Sequence, residues 1–128
     1  MVDFLLDRDI GRYQVSAALQ EHDLVVRTLF DVYGEREQFI TDVEWLTRAG
    51  EEEWAVITAD ARIRRRALER AVVDRWQVKI FTLPHGNLTG PEQVARVIDN
   101  LEAILRAATR PGPAIYVLLP QRIERRHP

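Results

Sequence analysis

Three aspartates occupy positions from which they could do chemistry together. Asp7 follows the apolar run Phe4-Leu5-Leu6, Asp60 closes Thr58-Ala59-Asp60, and Asp42 opens Asp42-Val43-Glu44. Carboxylates brought together repel, and each raises the pKa of its neighbour. A cluster of three or more that ionises together calls for a hard divalent cation held by oxygen ligands, Mg2+ or Mn2+. Such sites act on phosphoryl groups, because the cation neutralises phosphate charge and lowers the pKa of an attacking water. On this reading Asp7, Asp42 and Asp60 are the catalytic and metal-ligating residues, and Asp9 either adds a ligand or caps a turn. Glu44 and Thr58 are auxiliary or structural, Glu44 having Thr41 as a capping-box partner. Each of the other acids also has a structural use. Asp7 can begin a turn, Asp42 suits a helix dipole, and Asp60 can cap a helix from Arg62.

Asp60 is followed by Arg62, Arg64, Arg65 and Arg66. Consecutive arginines cannot share one helix face, so a solvated surface is one reading of the run. The other is that Arg62, with Arg12, reaches the phosphates of a substrate, a contact that does not read base sequence. His22, His85 and His127 show no metal-ligand spacing, Trp45, Trp54 and Trp76 read as core, and Glu51 to Glu53 read as a solvated loop.

The acids have to be positioned by alternating strands and helices. Val2–Leu6, Leu24–Leu29, Trp54–Thr58, Val78–Leu83 and Ala114–Leu119 read as strands. Helices fit Ile10–Gln20, Thr41–Ala49 closed by Gly50, Arg62–Trp76 and Glu92–Ala108. The segment 31–40 and the stretch Pro84–Pro91 read as loops, and 120–128 reads as a basic tail that frays. This alternation predicts an α/β fold in three layers, a mainly parallel five-stranded sheet with helices on both faces. In such sheets ligands bind beyond the carboxyl ends of the strands, near a reversal of strand order. Asp7 and Asp60 both fall at that edge.

The 128 residues suit a single domain, with 46% hydrophobic and 30% charged residues. No apolar run approaches the ~20 residues of a membrane span, and the N-terminus, acidic almost at once, does not read as a signal peptide. With no cysteine there is no disulfide framework and no thiolate site. The cytoplasm is the expected compartment. Net charge is only −2, yet residues 1–53 carry −8 and residues 54–128 carry +6. All but one of the 18 basic residues are arginine, whose fork suits phosphate and carboxylate recognition; a GC-rich genome would give the same bias.

The segments Phe4-Leu5-Leu6-Asp7-Arg8-Asp9-Ile10-Gly11-Arg12, Asp42-Val43-Glu44-Trp45-Leu46 with Ala49-Gly50, Trp54 through Arg64, and Gly86-Asn87-Leu88-Thr89-Gly90 occur in this order. Together they resemble the small bacterial PIN-like domains. The resemblance implies a PIN-like fold, a metal-dependent endoribonuclease activity leaving a 5′-phosphate and a 3′-hydroxyl, and commonly the role of a VapC-type toxin in a type II toxin–antitoxin pair. It matches Asp7, Asp42 and Asp60 to acidic metal positions and Arg62 and Arg12 to basic ones. It also implies RNA as substrate, a cognate antitoxin as partner, and pairing as a homodimer. Asp9 stands where the family has a small polar residue. The fourth acid of larger PIN domains has no counterpart, Thr82 being the nearest polar residue.

Two alternatives belong to other classes. A signalling receiver domain also places acids after its first and third strands and a Thr after its fourth, which Asp7, Asp9, Asp60 and Thr82 loosely match. It needs a Lys after the fifth strand, where this chain has Leu118-Leu119-Pro120. A PIN-like module that binds a partner without cutting would share both fold and acids.

Overall fold

A computed structural model describes residues 2–10 and 13–128. The described residues form a six-stranded sheet in the order β2-β1-β3-β4-β5-β6. The strands are β1 (Asp3–Leu6), β2 (Val25–Thr28), β3 (Ala55–Thr58), β4 (Lys79–Thr82), β5 (Ala114–Leu118) and β6 (Ile123–His127). The first five run parallel, and β6 returns antiparallel along β5. The helices are α1 (Gln14–Gln20), α2 (Leu29–Tyr33), α3 (Asp42–Glu52), α4 (Ala67–Trp76), α5 (Gly90–Asp99) and α6 (Leu101–Ala108). Two 3-10 turns, Gly34–Phe39 and Ile63–Arg65, precede α3 and α4.

Successive strand residues point to opposite faces of a sheet, and both faces are covered. Phe4, Leu6, Ile57, Phe81, Tyr116 and Leu118 pack with Val15, Leu19, Val97 and Ile104 of α1, α5 and α6. Leu5, Val56, Ile80 and Ile115 pack on the other face with Trp45, Leu46, Ala49 and Val73 of α3 and α4. Burial on both sides explains why the strands read as continuous apolar runs rather than alternating ones.

The three-layer α/β architecture is as expected, with one strand more than expected. Residues 123–127, read as a fraying tail, form β6, whose charged sequence gives no apolar signal of a strand. Between 29 and 39 the chain is helical rather than loop, because Thr28 and Asp31 cap each other's backbone and start α2. The first helix begins at Gln14 rather than Ile10. Gly50 does not close α3, which runs to Glu52 and ends on Glu53 at φ 59°. Gly50 is instead a close approach, since a Cβ there would strike the Cβ and carbonyl of Trp76. The helix expected from Arg62 begins at Ala67, after a break at extended Arg66. The helix expected over 92–108 starts at Gly90 and is split at Asn100, which bonds both Arg96 and Leu119 carbonyls through its side chain.

Strand order reverses at β1, with β2 on one side and β3 on the other. The crevice beyond the carboxyl ends of β1 and β3 is therefore the switch point where α/β sheets bind ligands.

Candidate functional site

Asp7 is the first residue after β1, and its backbone N–H donates to the Ile57 carbonyl at 3.0 Å, so the sheet itself fixes it. It is 7% exposed. Asp7 Oδ1 accepts from the Arg8 amide at 2.7 Å and Oδ2 from the Thr58 hydroxyl at 2.9 Å. Burial, aided by the charge of Asp9, pushes its carboxyl up to about 7. Thr58, the last residue of β3, has no exposed surface and joins three acids. Besides its bond to Asp7, its Oγ1 lies 3.4 Å from Asp9 Oδ1 and accepts from the Asp60 amide at 3.0 Å.

Asp9 reaches across from the segment after β1 to the end of β3, where Oδ1 accepts from the Ala59 amide at 3.1 Å. Desolvation raises its pKa too, and Asp60 adds to the shift. Asp60 Oδ1 accepts from the Arg62 amide at 3.1 Å, and Oδ2 lies 2.6 Å from Arg66 Nη1. The same Arg66 Nη1 is 3.5 Å from Asp42 Oδ2. Asp42 Oδ1 accepts from the indole of fully buried Trp45 at 2.9 Å. Trp45 is therefore core, as expected, and also orients Asp42.

Asp42 comes to this edge because α3 begins here. Thr41 caps α3, its Oγ1 accepting from the Glu44 amide at 3.2 Å, and Glu44 is exposed and returns the cap contact. Arg8 secures the approach to α3, donating through Nη2 to the carbonyls of Glu37 at 2.8 Å and Ile40 at 3.0 Å.

The four aspartates thus share one sheet edge, joined through Thr58 on one side and Arg66 on the other. Arg62 is exposed beside them, its Nε 3.6 Å from Asp60 Oδ1. Arg12 lies outside the described residues. Thr82 is fully buried and donates to the Leu83 carbonyl at 2.9 Å, so it does not complete the acid set. An open cleft of about 690 Å³ adjoins the acids, lined by Asp9, Asp60, Arg62, Arg64, Arg65 and His85 among others. Sequence reasoning missed Arg66, Arg8 and the loop carrying His85. The only signal for Arg66 was its place at the end of the arginine run.

The donor set, all carboxylate oxygens, is chemically of the kind that suits a hard divalent cation. Asp7 and Asp9 are raised chiefly by burial, with neighbouring carboxylates adding to the shift. Among the described residues no three acids are gathered closely enough to hold one ion.

Residues 2–85 match the family model described as a PIN like domain. The chain is also 36% identical over 121 residues to a protein of Mycobacterium tuberculosis (strain ATCC 25618 / H37Rv) named "Putative ribonuclease VapC45", covering 94% of this chain and 88% of that one. No solved structure matches. No helix among the described residues is long and apolar enough to cross a membrane.

Proposed function

From the premise that this chain belongs to the PIN-like domain family, we propose that it is a divalent-metal-dependent endoribonuclease, the toxin of a type II toxin–antitoxin pair. The observation that carries the reading is the convergence of Asp7, Asp9, Asp42 and Asp60 at the β1/β3 switch point, joined by Thr58 and Arg66. The name of the mycobacterial relative supports the ribonuclease activity. The resemblance to VapC-type proteins supports the toxin role, an antitoxin partner and a cytoplasmic setting.

Asp7, Asp42 and Asp60 would hold the ion, with Asp9 beside them, once they draw closer than they stand in the described arrangement. Bound Mg2+ or Mn2+ would neutralise phosphate charge and lower the pKa of an attacking water. The rest of the work falls to the protein. The Arg8 amide and the Thr58 hydroxyl each take one lone pair of Asp7 and fix its plane. The Trp45 indole does the same for Asp42. Arg62, Arg64 and Arg65 offer the cleft three guanidinium groups for the phosphates of an RNA strand. Such contacts would bind without reading bases, so sequence preference has to come from the cleft walls or from RNA shape.

A second reading, a PIN-like module that binds RNA without cutting, is favoured by the open arrangement of the acids. One experiment decides. Purified protein is incubated with RNA and Mn2+ beside Asp7→Asn and Asp60→Asn, and fragments are resolved by electrophoresis. The parent is expected to cleave, and each variant to lose about a hundredfold or more in rate. Equal cleavage by all three proteins would sink the nuclease reading; binding without cleavage would support the module.

A further inference from the structure

Each of the two acids flanking Arg66 has one oxygen committed to a fixed donor and the other turned to the guanidinium. Asp42 Oδ1 is held by the Trp45 indole at 2.9 Å, and Asp60 Oδ1 by the Arg62 amide at 3.1 Å. Their Oδ2 atoms face Arg66 Nη1 at 3.5 Å and 2.6 Å. Both oxygens of Asp7 already accept hydrogen bonds. The least committed oxygens of Asp42 and Asp60, those best able to bind an ion, are therefore the ones this side chain takes.

The backbone is shaped to put Arg66 there. It stands at φ −90°, ψ 117°, an extended residue between the 3-10 turn Ile63–Arg65 and α4. No glycine or proline forces that break. The break separates Arg66 from Arg62, Arg64 and Arg65, which line the neighbouring cleft while Arg66 does not. One arginine of the run is thus committed to the acids, and three are left to the cleft.

We propose that Arg66 is an internal counter-cation that occupies the place of the divalent ion, so that metal binding at this site is a cation exchange within the protein. The proposal rests on the nuclease reading above and adds its regulation. In the metal-free protein Arg66 keeps Asp42 and Asp60 together against their repulsion. A divalent ion has to displace the guanidinium from both Oδ2 atoms, which sets the affinity below what the carboxylates alone would give. The displaced guanidinium is then free beside the cleft, where a phosphate can take it. Binding of ion and of RNA would thereby favour each other.

The test is Mn2+ binding by isothermal titration calorimetry, without RNA, on the parent, Arg66→Gln and Arg66→Lys. Gln removes the competing charge, and Arg66→Gln is expected to bind Mn2+ about tenfold tighter. Lys keeps a charge, and Arg66→Lys is expected to stay near the parent. Folding is checked by near-ultraviolet circular dichroism in EDTA. A folded Arg66→Gln that binds Mn2+ no more tightly than the parent overturns the proposal. Should that variant fail to fold, the parent alone still decides. Its Arg66 guanidinium NMR resonance is expected to shift on saturation with Mg2+, and an unmoved resonance overturns the proposal. A parent that cuts RNA with Mn2+ while Arg66→Gln gains no affinity removes this inference and leaves the nuclease reading standing. A parent that takes up no Mn2+ and leaves RNA intact removes both.

Discussion

The two ends of the parallel strands are built on opposite principles. At the amino end, Gly50 of α3 lies so close to Trp76 of α4 that no side chain fits between them. Lys79 donates to the Ala108 carbonyl at 2.6 Å, and Trp54 lies under the guanidinium groups of Arg27 and Arg48 at 4.9 Å and 5.6 Å. Each of these groups has a partner in a neighbouring element. At the carboxyl end, four aspartates share one sheet edge, and two are held above their ordinary pKa by burial and by neighbouring carboxylates. The first end contributes stability. The second costs stability, as a site that needs like charges together must. Disturbing the packing at the first end and removing a charge at the second should therefore move stability in opposite directions.

The largest expected effect is at the amino end. Gly50→Val would force α3 and α4 apart, costing about 3 kcal/mol and lowering Tm by roughly 10 °C, read by thermal unfolding. An unchanged Tm would mean that the two helices are not packed as described.

At the carboxyl end Asp7→Asn should stabilise. The Asp7 carboxyl is raised in the folded protein, so the native state holds more protons than the unfolded state between about pH 4 and about 7. Parent stability from this group is present at low pH and is lost as pH rises through that window. Asn carries no charge and can still accept from the Arg8 amide. In EDTA the variant should match the parent near pH 4 and exceed it by about 2 kcal/mol at pH 8, measured by urea unfolding at both pH values. A gap that does not widen with pH would break the contrast between the two ends.

The smallest effect sharpens it. Thr58→Val keeps the shape and removes the hydroxyl that bonds Asp7 and Asp60. Loss of those bonds should cost about 1–2 kcal/mol, and RNA cleavage should fall further than stability does. Equal rates in parent and variant at a temperature where both are folded would reduce Thr58 to a packing residue.

The acid edge was legible because it follows from strand ends. Asp7 and Asp60 stand directly after apolar runs, and a parallel sheet brings such ends to one side. The cap at Thr41 was legible because capping is local. What stayed hidden depends on contacts distant in sequence. Residue 66 looks like any other arginine in a run of them, and only the fold sets it against Asp42 and Asp60. The apolar period continues through Asn100, so the interruption there shows only in its bond to Leu119. The segment Ile123–His127 has no apolar alternation, and β5 alone makes it a strand. Gly50 announced a helix end, whereas its actual service is to a helix far along the chain.

That last strand also settles how the sheet stops growing. An uncovered β5 would present a rim of unpaired amides backed by five buried residues, Ala114 to Leu118, which is the template that recruits stray chains. The returning strand satisfies that rim and substitutes one crowded with charge, where Glu124 pairs with Arg122 and Arg126 and His127 is tied to Asp74. Another molecule approaching edge-on would have to strip water from those ions before forming its first ladder bond, so the chain carries its own guard against accretion.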